Sequence, residues 1–254
     1  MTGNKLYNES GAFQMTNGGC IVPIRSIKSG KQRIRKNLPP SKDSQISSLI
    51  SLILHRTIAF CTQFFDYVWI MTKDPKDIHT RIGEKTVKII QDPNKDINSS
   101  LAIVAREMAR TAEMIAVITP DLPLLKQKDM SSLLTEFKGQ NAVIAPSKDE
   151  GTSALLIPVG SKNAIIQDFH FAFGERSFEK HLKAFSSINL NHKVIQSAGF
   201  LWDLDDLSDM EYVLRNKHQS LPNSLLEMIG VLSETSSANG DVFDHIRSRS
   251  REST

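Results

Sequence analysis

The stretch "CIVPIRSIKSGKQRIRKNL" (Cys20–Leu38) joins a short apolar run to a strongly basic loop. The run from Cys20 to Ile24 has the length and the apolar content of a buried strand. Six basic residues follow it before the next proline pair: Arg25, Lys28, Lys31, Arg33, Arg35 and Lys36. What this charge does depends on where the remaining elements place the loop.

Strand and helix patterns alternate on both sides of this loop. Apolar residues recur at helical spacing from Ile46 to Leu54, and Ser41 is placed to cap that helix. Further strands are predicted at 67–71, 86–90, 114–118, 141–146 and 152–159, and further helices at 97–112 and 131–137. This alternation predicts an α/β fold of three layers, α/β/α, with a mostly parallel central sheet. Ligands bind such sheets at the carboxyl ends of the strands, where the basic loop follows its strand.

Length and composition allow one large domain or two small ones. With 254 residues and 40% hydrophobic content, the chain can bury a sizeable core. We expect a single domain at 19–232, between a loose segment at 1–18 and a disordered tail at 233–254, because both ends lack apolar periodicity. The apolar periodicity of the last predicted helix, at Leu225, Met228 and Val231, leaves open whether it covers a core edge or a partner subunit.

Several classes of protein are disfavoured by the composition. No long apolar run and no signal-peptide pattern is present, so we expect a cytoplasmic protein that does not bind membranes. Cys20 and Cys61 lack CxxC spacing, which argues against a zinc site and a disulfide framework. A formal net charge of +3 is too small for a protein whose whole surface binds nucleic acid.

The basic loop admits more than one interpretation. It is not a P-loop, because Arg25 and Gln32 stand where that motif needs Gly and Ser or Thr. A nucleic-acid patch is disfavoured, because no aromatic residue is interleaved for base stacking. A solvated turn remains an alternative, since charge runs are usually exposed. The third interpretation is a loop whose Lys and Arg side chains hold the triphosphate of a nucleotide.

Acidic residues bear on this choice. Asp121 follows the predicted strand 114–118 between two prolines, and Asp203 and Asp205 are two apart, so that both carboxylates face one way in an extended segment. Each motif alone is weak, because such an Asp is often a turn residue. Together the three carboxylates could bind Mg²⁺ with substrate phosphates. Combined with the basic loop, they favour metal-dependent nucleotidyl transfer.

Six segments in order resemble the 2-phospholactate guanylyltransferase family, the CofC/FbiD-type enzymes of deazaflavin coenzyme biosynthesis, across about residues 20–210. They are "IVPIRSIKSGKQRI", "DPNKDINSSL", "TPDLPLL", "APSKDEGTSALLI", "FAFGERSFEKHL" and "LWDLDDLSDM". The resemblance implies a nucleotidyltransferase fold of the glycosyltransferase-A type. It also implies that GMP passes from GTP to the phosphate of 3-phosphoglycerate, 2-phospholactate or phosphoenolpyruvate.

The resemblance further implies roles for individual residues. Asp121, Asp203 and Asp205 would bind Mg²⁺, and Lys31 and Arg33 would contact the triphosphate, with Asp121, Lys31 and Arg33 as the catalytic set. Nucleotide binding would also involve the loop residues Arg25 and Lys28, and Asn98 near the nucleoside. The phosphorylated acid would lie against Thr152, Ser153, Gly174 and Ser177.

Two of the places where this sequence departs from the family pattern lie in the segments expected to line the acceptor pocket. Ser153 replaces an Asn and Arg176 replaces a Gly. An inward-facing Arg176 could bind a carboxylate through two hydrogen bonds, which favours a polar acceptor such as 3-phosphoglycerate. His181 has no evident catalytic partner and is interpreted as a packing residue. Strictness for guanine and oligomeric state stay open. Two alternative functions also stay open: nucleotidyl transfer to another phosphorylated acceptor, and a non-catalytic domain that binds nucleotide or RNA through the basic loop.

Overall fold

The computed structural model describes residues 5–7, 13–15, 17–78, 87–93, 96–161, 164–215 and 221–237. Its main feature is a seven-stranded sheet with the strand order β5-β4-β3-β6-β8-β7-β9. The strands of the described residues, including two short ones near the N-terminus, are β1 Lys5–Tyr7, β2 Phe13–Met15, β3 Gly18–Ile24, β4 Tyr67–Thr72, β5 Val87–Gln91, β6 Met114–Ile118, β7 Ala142–Pro146, β8 Thr152–Pro158 and β9 His192–Val194.

The sheet is mostly parallel, as predicted. β3 pairs in parallel with both β4 and β6, and β4 with β5. β8 alone runs the other way, antiparallel to β6 and to β7, while β9 pairs with β7 in parallel. The carboxyl ends of β3, β4 and β6 therefore meet at one edge, with the start of β8 beside them.

Helices cover both faces of this sheet. They are α1 Gln32–Lys36, α2 Asp43–Phe64, α3 Ile97–Met108, α4 Gln127–Glu136, α5 Ala164–Asp168, α6 Ser177–Ser187, α7 Ala198–Leu201, α8 Leu207–Arg215 and α9 Asn223–Ser237. One buried cluster holds residues of α2, α4, α8 and α9, and the other holds residues of α3, α5 and α6. Alternate β3 residues divide between them, with Cys20 and Val22 in the first and Ile21 in the second. The predicted three-layer α/β/α architecture is confirmed.

The start of α2 differs from the prediction. Ser41 was expected to cap this helix, but it lies inside a 3-10 turn, Pro40–Lys42, that runs directly into α2. Pro40 is the first residue of that turn, where its fixed φ and missing N–H are tolerated. The expected capping role of Ser41 is therefore wrong, and Asp43 supplies the favourable negative charge in the first turn of α2.

The chain ends fall partly outside the described residues. β1 and β2 form an antiparallel pair within the segment expected to be loose, and residues 1–4, 8–12 and 16 lie outside the described part. α9 continues to Ser237, past the expected boundary at 232, since residues 233–237 contain no Gly or Pro to end it. Residues 238–254 lie outside the described part of the chain.

The last helix packs on the core. Leu225, Ile229 and Leu232 are buried, and Met228 is partly buried against the same core. Of the expected stripe Leu225, Met228 and Val231, only Val231 is wrong, because it is 47% exposed. The buried stripe follows i, i+4, i+7 spacing, and α9 contacts α2 and α8. None of the helices in the described residues is long and apolar enough to cross a membrane.

Candidate functional site

The basic loop turns sharply where it leaves β3. The N–H of Gly30 donates to the carbonyl of Ser26 at 3.0 Å, and a Cβ on Gly30 would lie 2.5 Å from that carbonyl oxygen. Lys31 follows with a φ of 55°, a left-handed conformation that is rare for a residue with a side chain. Non-glycine residues in this region cluster at functional sites, where the surrounding structure holds them.

Arg35 holds the loop in this shape. Its guanidinium donates to the carbonyls of Gly30 and Ile27, at 2.8 and 3.0 Å, and to the hydroxyl of Ser47 on α2 at 3.0 Å. The Arg35 side chain is 9% exposed and also pairs with Asp43. Its charge therefore serves the loop's structure, and other basic residues remain to face a ligand.

Lys31 lies between two of the predicted carboxylates. Its ammonium donates to Asp121 and, at 2.6 Å, to Asp205, and only 14% of its side chain is exposed. Arg33 stands farther out, with 4.0 Å between its guanidinium and a carboxylate oxygen of Asp205 and with 68% of its side chain exposed. The structure therefore brings together residues that are separated by 90 and 174 positions along the chain.

The two acidic segments are fixed to each other and to α2. Arg56 and Thr57 of α2 donate to the carbonyls of Pro123 and Pro120, which flank Asp121. The N–H of Leu204 donates to the carbonyl of Asp121 at 3.0 Å. Because Leu204 separates Asp203 from Asp205, this bond keeps all three carboxylates at the same sheet edge.

Charge in this cluster is strongly coupled. Burial, together with the nearby charges of Asp121 and Asp205, raises the pKa of Asp203 to about 7 against the opposing effect of Lys31. Burial lowers the pKa of Lys31, but attraction to Asp121 and Asp205 outweighs it, so the pKa is raised and the ammonium stays charged. The site is thus short of positive charge despite Lys31.

A cavity of about 680 Å³ opens beside these residues. Its lining includes Arg25, Lys31, Arg33, Asp121 and Asp205 from the predicted set. It also includes residues that were not predicted, chiefly Lys73, Asp74, Thr119 and Phe173. A cavity of this size, lined by both signs of charge, suits a polyanionic ligand of nucleotide size.

The carboxylates fit a divalent cation only in part. Asp121 Oδ1 and Asp203 Oδ1 are buried and lack a hydrogen-bond partner in the described part of the chain. Carboxylate oxygens of this kind are the ligands that Mg²⁺ prefers. Within the same residues, however, no group of three or more His, Cys, Asp or Glu side chains is arranged to hold a metal by itself. The protein thus offers a few oxygen ligands, and substrate phosphates would have to supply others.

Two predicted nucleotide-binding residues lie elsewhere. Lys28 is 75% exposed and donates to Asp77 at 2.6 Å. Asn98 uses its amide on the backbone of Phe173, donating to the carbonyl at 3.0 Å and accepting from the N–H at 2.7 Å. Neither Lys28 nor Asn98 is among the described residues that line the cavity. Asn98 therefore positions Phe173, which does line the cavity, and its contact with a nucleoside stays a prediction.

Thr152 and Ser177 meet in a buried network, although they do not belong to the described lining of the cavity. Ser177 donates its hydroxyl to Thr152 at 3.3 Å, and Thr152 Oγ1 lies 3.0 Å from His181 Nδ1. The N–H of Ala172 donates to His181 Nε2, which places the ring proton on Nδ1. Burial lowers the pKa of His181 to about 4, so the ring is neutral at neutral pH. Interpreting His181 as a buried structural residue is consistent with this environment.

The remaining predicted acceptor residues divide. Ser153 is 1% exposed, and its hydroxyl lacks a partner among the described residues. Gly174 adopts a φ of 126° next to Phe173. Arg176 is 61% exposed and pairs with Glu179 and Glu150, so the inward orientation considered for it is wrong. The reason is its position before α6, where Glu179 of the first turn draws the guanidinium outward.

The unpredicted lining residues follow a rule that the sequence already contained. Lys73 and Asp74 come directly after β4, as Arg25 comes after β3. The carboxyl ends of neighbouring parallel strands meet at one edge, so the same reasoning would have found them. Phe173 carried no such signal, because the loop that holds it depends on contacts far along the chain.

The comparison with protein families gives one match over most of the chain. The family model described as "Guanylyl transferase CofC like" matches residues 19–243. A phosphoenolpyruvate guanylyltransferase of Chloroflexus aggregans is 23% identical over 74% of this chain and 92% of the relative. A 2-phospho-L-lactate guanylyltransferase of a Methanocaldococcus species is also 23% identical, over 88% of this chain and 92% of the relative.

Solved structures share the fold at low identity. A protein of Desulfovibrio desulfuricans described as a nucleotide-diphospho-sugar transferase superposes with a TM-score of 0.68 at 10% identity, covering 87% of this chain and 99% of the other. A nucleotidyl transferase of Methanothermobacter thermautotrophicus gives a TM-score of 0.52 at 12% identity, covering 78% and 96%. The predicted nucleotidyltransferase type of fold is thereby confirmed.

Proposed function

We propose that this chain, which belongs to the family of CofC-like guanylyl transferases, transfers GMP from GTP to the phosphate of a small phosphorylated carboxylic acid. The observation that carries the proposal is the convergence of Lys31, Asp121 and Asp205 beside a cavity at the carboxyl ends of β3 and β6. The relatives named as phosphoenolpyruvate and 2-phospho-L-lactate guanylyltransferases support the same class of acceptor.

The reaction joins two anions. A phosphate oxygen of the acceptor attacks the α-phosphorus of GTP, the new O–P bond forms, and the bond from that phosphorus to the pyrophosphate oxygen breaks. The products are pyrophosphate and a GMP adduct linked through a diphosphate. The acceptor needs no strong general base, because the second pKa of a phosphate monoester is about 6 and the oxygen is already ionised near neutral pH.

Lys31 is the basic residue best placed to act on the triphosphate. Its ammonium is held by Asp121 and Asp205 and lines the cavity, so it meets the phosphates without a large rearrangement. Arg33 and Arg25 also line the cavity and are exposed, which suits charge neutralisation at its mouth. Preorganised positive charge of this kind stabilises the charge on the transferring group and on pyrophosphate.

Mg²⁺ is part of the proposal. Asp121, Asp203 and Asp205 would hold it. Two of their carboxylate oxygens are buried without a hydrogen-bond partner among the described residues, and carboxylate oxygens are the ligands that Mg²⁺ prefers. A bound Mg²⁺ supplies charge neutralisation at the phosphate oxygens. The proposal also places the reaction in deazaflavin coenzyme biosynthesis and the protein in the cytoplasm. The candidate acceptor acids are 3-phosphoglycerate, 2-phospholactate and phosphoenolpyruvate.

A panel assay tests this function. The chain is incubated with GTP, Mg²⁺ and each of the three acids, while pyrophosphate is measured and adducts are identified by mass. We expect a GMP adduct with at least one acid, and a loss of orders of magnitude in Asp121→Asn but not in the matched control Asp168→Asn, whose side chain is exposed on α5. Turnover without any GMP adduct, or full activity in Asp121→Asn, would contradict the proposal.

A further inference from the structure

The buried carboxylate of Asp209 supports the segment that carries Asp203 and Asp205. Asp209 is 1% exposed, and its Oδ2 accepts the backbone N–H groups of Asp205 at 2.7 Å and Asp206 at 2.9 Å. Asp206 in turn accepts the N–H groups of Ser208 and Asp209 with its own carboxylate. The bond between Asp209 and the N–H of Asp206 is an ordinary reciprocal cap at the start of α8.

The bond to Asp205 goes beyond a helix cap. Asp205 precedes the cap residue and contributes nothing to the turns of α8, which begins at Leu207. Its carboxylate bonds Lys31 at 2.6 Å, at the centre of the candidate site. A carboxylate that holds the N–H of Asp205 therefore fixes the backbone from which a site residue projects.

Lys148 neutralises Asp209 from another loop. Its ammonium donates to Asp209 Oδ1, and its backbone N–H donates to the carbonyl of Leu201 at 2.8 Å. The ammonium also lies 5.2 Å from the ring centroid of Trp202, which stacks on Tyr212 of α8. Lys148 thus contacts both ends of the segment 201–209, which carries Asp203 and Asp205.

We infer that Lys148 and Asp209 are positioning residues that fix the backbone of Asp205 and so aim its carboxylate at the Lys31 ammonium, which faces the incoming triphosphate. The inference rests on the proposed function, because it gives the pair a role in nucleotide binding and transfer. Neither residue is a ligand or a catalytic group in this account. Residues that orient site ligands typically matter by about 10- to 100-fold in affinity or activity.

Two kinds of variant separate positioning from stability. Lys148→Met leaves Asp209 buried without its counter-charge, so we expect a lower urea midpoint together with weaker function. The double variant Lys148→Met/Asp209→Leu removes both charges, and apolar replacements of buried ion pairs are often neutral or stabilising. Only the double variant lacks the carboxylate that holds the N–H groups of Asp205 and Asp206 while having no unpaired buried charge.

The readout is the dissociation constant of GTP·Mn²⁺ by calorimetry, without acceptor, beside kcat and KM in the transfer assay. We expect the double variant to unfold at a higher urea midpoint than Lys148→Met, though below wild type because the cap of α8 is lost, and to bind GTP·Mn²⁺ about 10- to 100-fold more weakly than wild type. Lys148→Arg, which keeps the charge, should retain binding. The control Arg215→Met breaks an exposed ion pair with Glu211 on the same helix and should leave binding unchanged.

The outcomes are distinguishable. A double variant that regains both the urea midpoint and the wild-type affinity would overturn the inference, because the pair would then be merely structural. If the double variant does not fold, Asp209→Ala decides, since it removes the acceptor of both N–H groups, and unchanged affinity would again overturn the inference. Absence of transfer by the wild type would contradict the proposed function. The dissociation constant of GTP·Mn²⁺ would still decide the role of Lys148 and Asp209.

Discussion

Replacing Lys31 with Met tests the electrostatic design of the site. The substitution keeps most of the side-chain length and removes the ammonium that contacts Asp121 and Asp205. A charge-assisted hydrogen bond is worth about 1.5 to 3 kcal/mol, and each 1.4 kcal/mol corresponds to about tenfold. Losing one such bond to the triphosphate would therefore lower kcat/KM for GTP by roughly 10- to 150-fold.

Two features of the structure make this a lower bound. Only 14% of the Lys31 side chain is exposed, so solvent screens its contacts weakly. Removing the ammonium also leaves the neighbouring carboxylates without their counter-charge, and they would then repel the triphosphate. Arg33, which is 68% exposed and 4.0 Å from its carboxylate partner, should matter less.

Steady-state kinetics with GTP as the varied substrate measure the effect, and Lys28→Met is the matched control. Lys28 lies in the same loop, but it is 75% exposed and pairs with Asp77 away from the cavity, so kcat/KM should stay close to wild type. Equal losses in the Lys31 and Lys28 variants, or a change below about twofold in Lys31→Met, would refute this reasoning.

Three further predictions concern single residues. Asp203→Asn should abolish transfer yet stabilise the metal-free protein at pH 8. The folded pKa of about 7 lies above the ordinary value, so the native state binds an extra proton between about pH 4 and pH 7. Wild-type stability should therefore fall by roughly 4 kcal/mol as pH rises through that window, which urea titrations would detect. The pH dependence of stability at His181 has the opposite sign, because the folded pKa of about 4 lies below the unfolded value. The stabilising contribution of the neutral His181 ring is complete above about pH 6.5 and is lost as pH falls. Acidification to pH 4 should therefore cost the wild type roughly 3 kcal/mol more unfolding free energy than His181→Gln, with the exposed His170→Gln as control. Arg176→Ala should leave the order of acceptor preference unchanged in a competition assay, since its guanidinium faces solvent, and a reversed order would contradict its outward orientation.

Much of the scaffold could be predicted from local pattern. β6 coincides with the predicted strand 114–118 because a fully buried strand reads as an uninterrupted apolar run. β9, three exposed residues at the sheet edge, offered no such run and was missed. The start of α2 was misplaced because a 3-10 turn that begins at Pro40, rather than a side-chain cap, leads into the helix.

The centre of the site followed from topology. Arg25 and Asp121 come after strands that pair side by side, so the sheet itself brings the basic loop and the carboxylate together. The contacts that support the site could not be predicted from the sequence, because they depend on side-chain directions that residue spacing does not encode. Asn98 bonds the backbone of Phe173, and Lys148 reaches Asp209 across 61 positions, neither of which leaves a local signature.

The central claim is guanylyl transfer, and the fate of the GTP phosphates tests it most directly. The chain is incubated with Mg²⁺, the acceptor acids and GTP labelled at either the α- or the γ-phosphorus, and the products are separated. Our account predicts that the α label enters the acid adduct and that the γ label leaves in pyrophosphate, with both lost in Asp121→Asn. A γ label in the acceptor or in inorganic phosphate, without an α-labelled adduct, would contradict it.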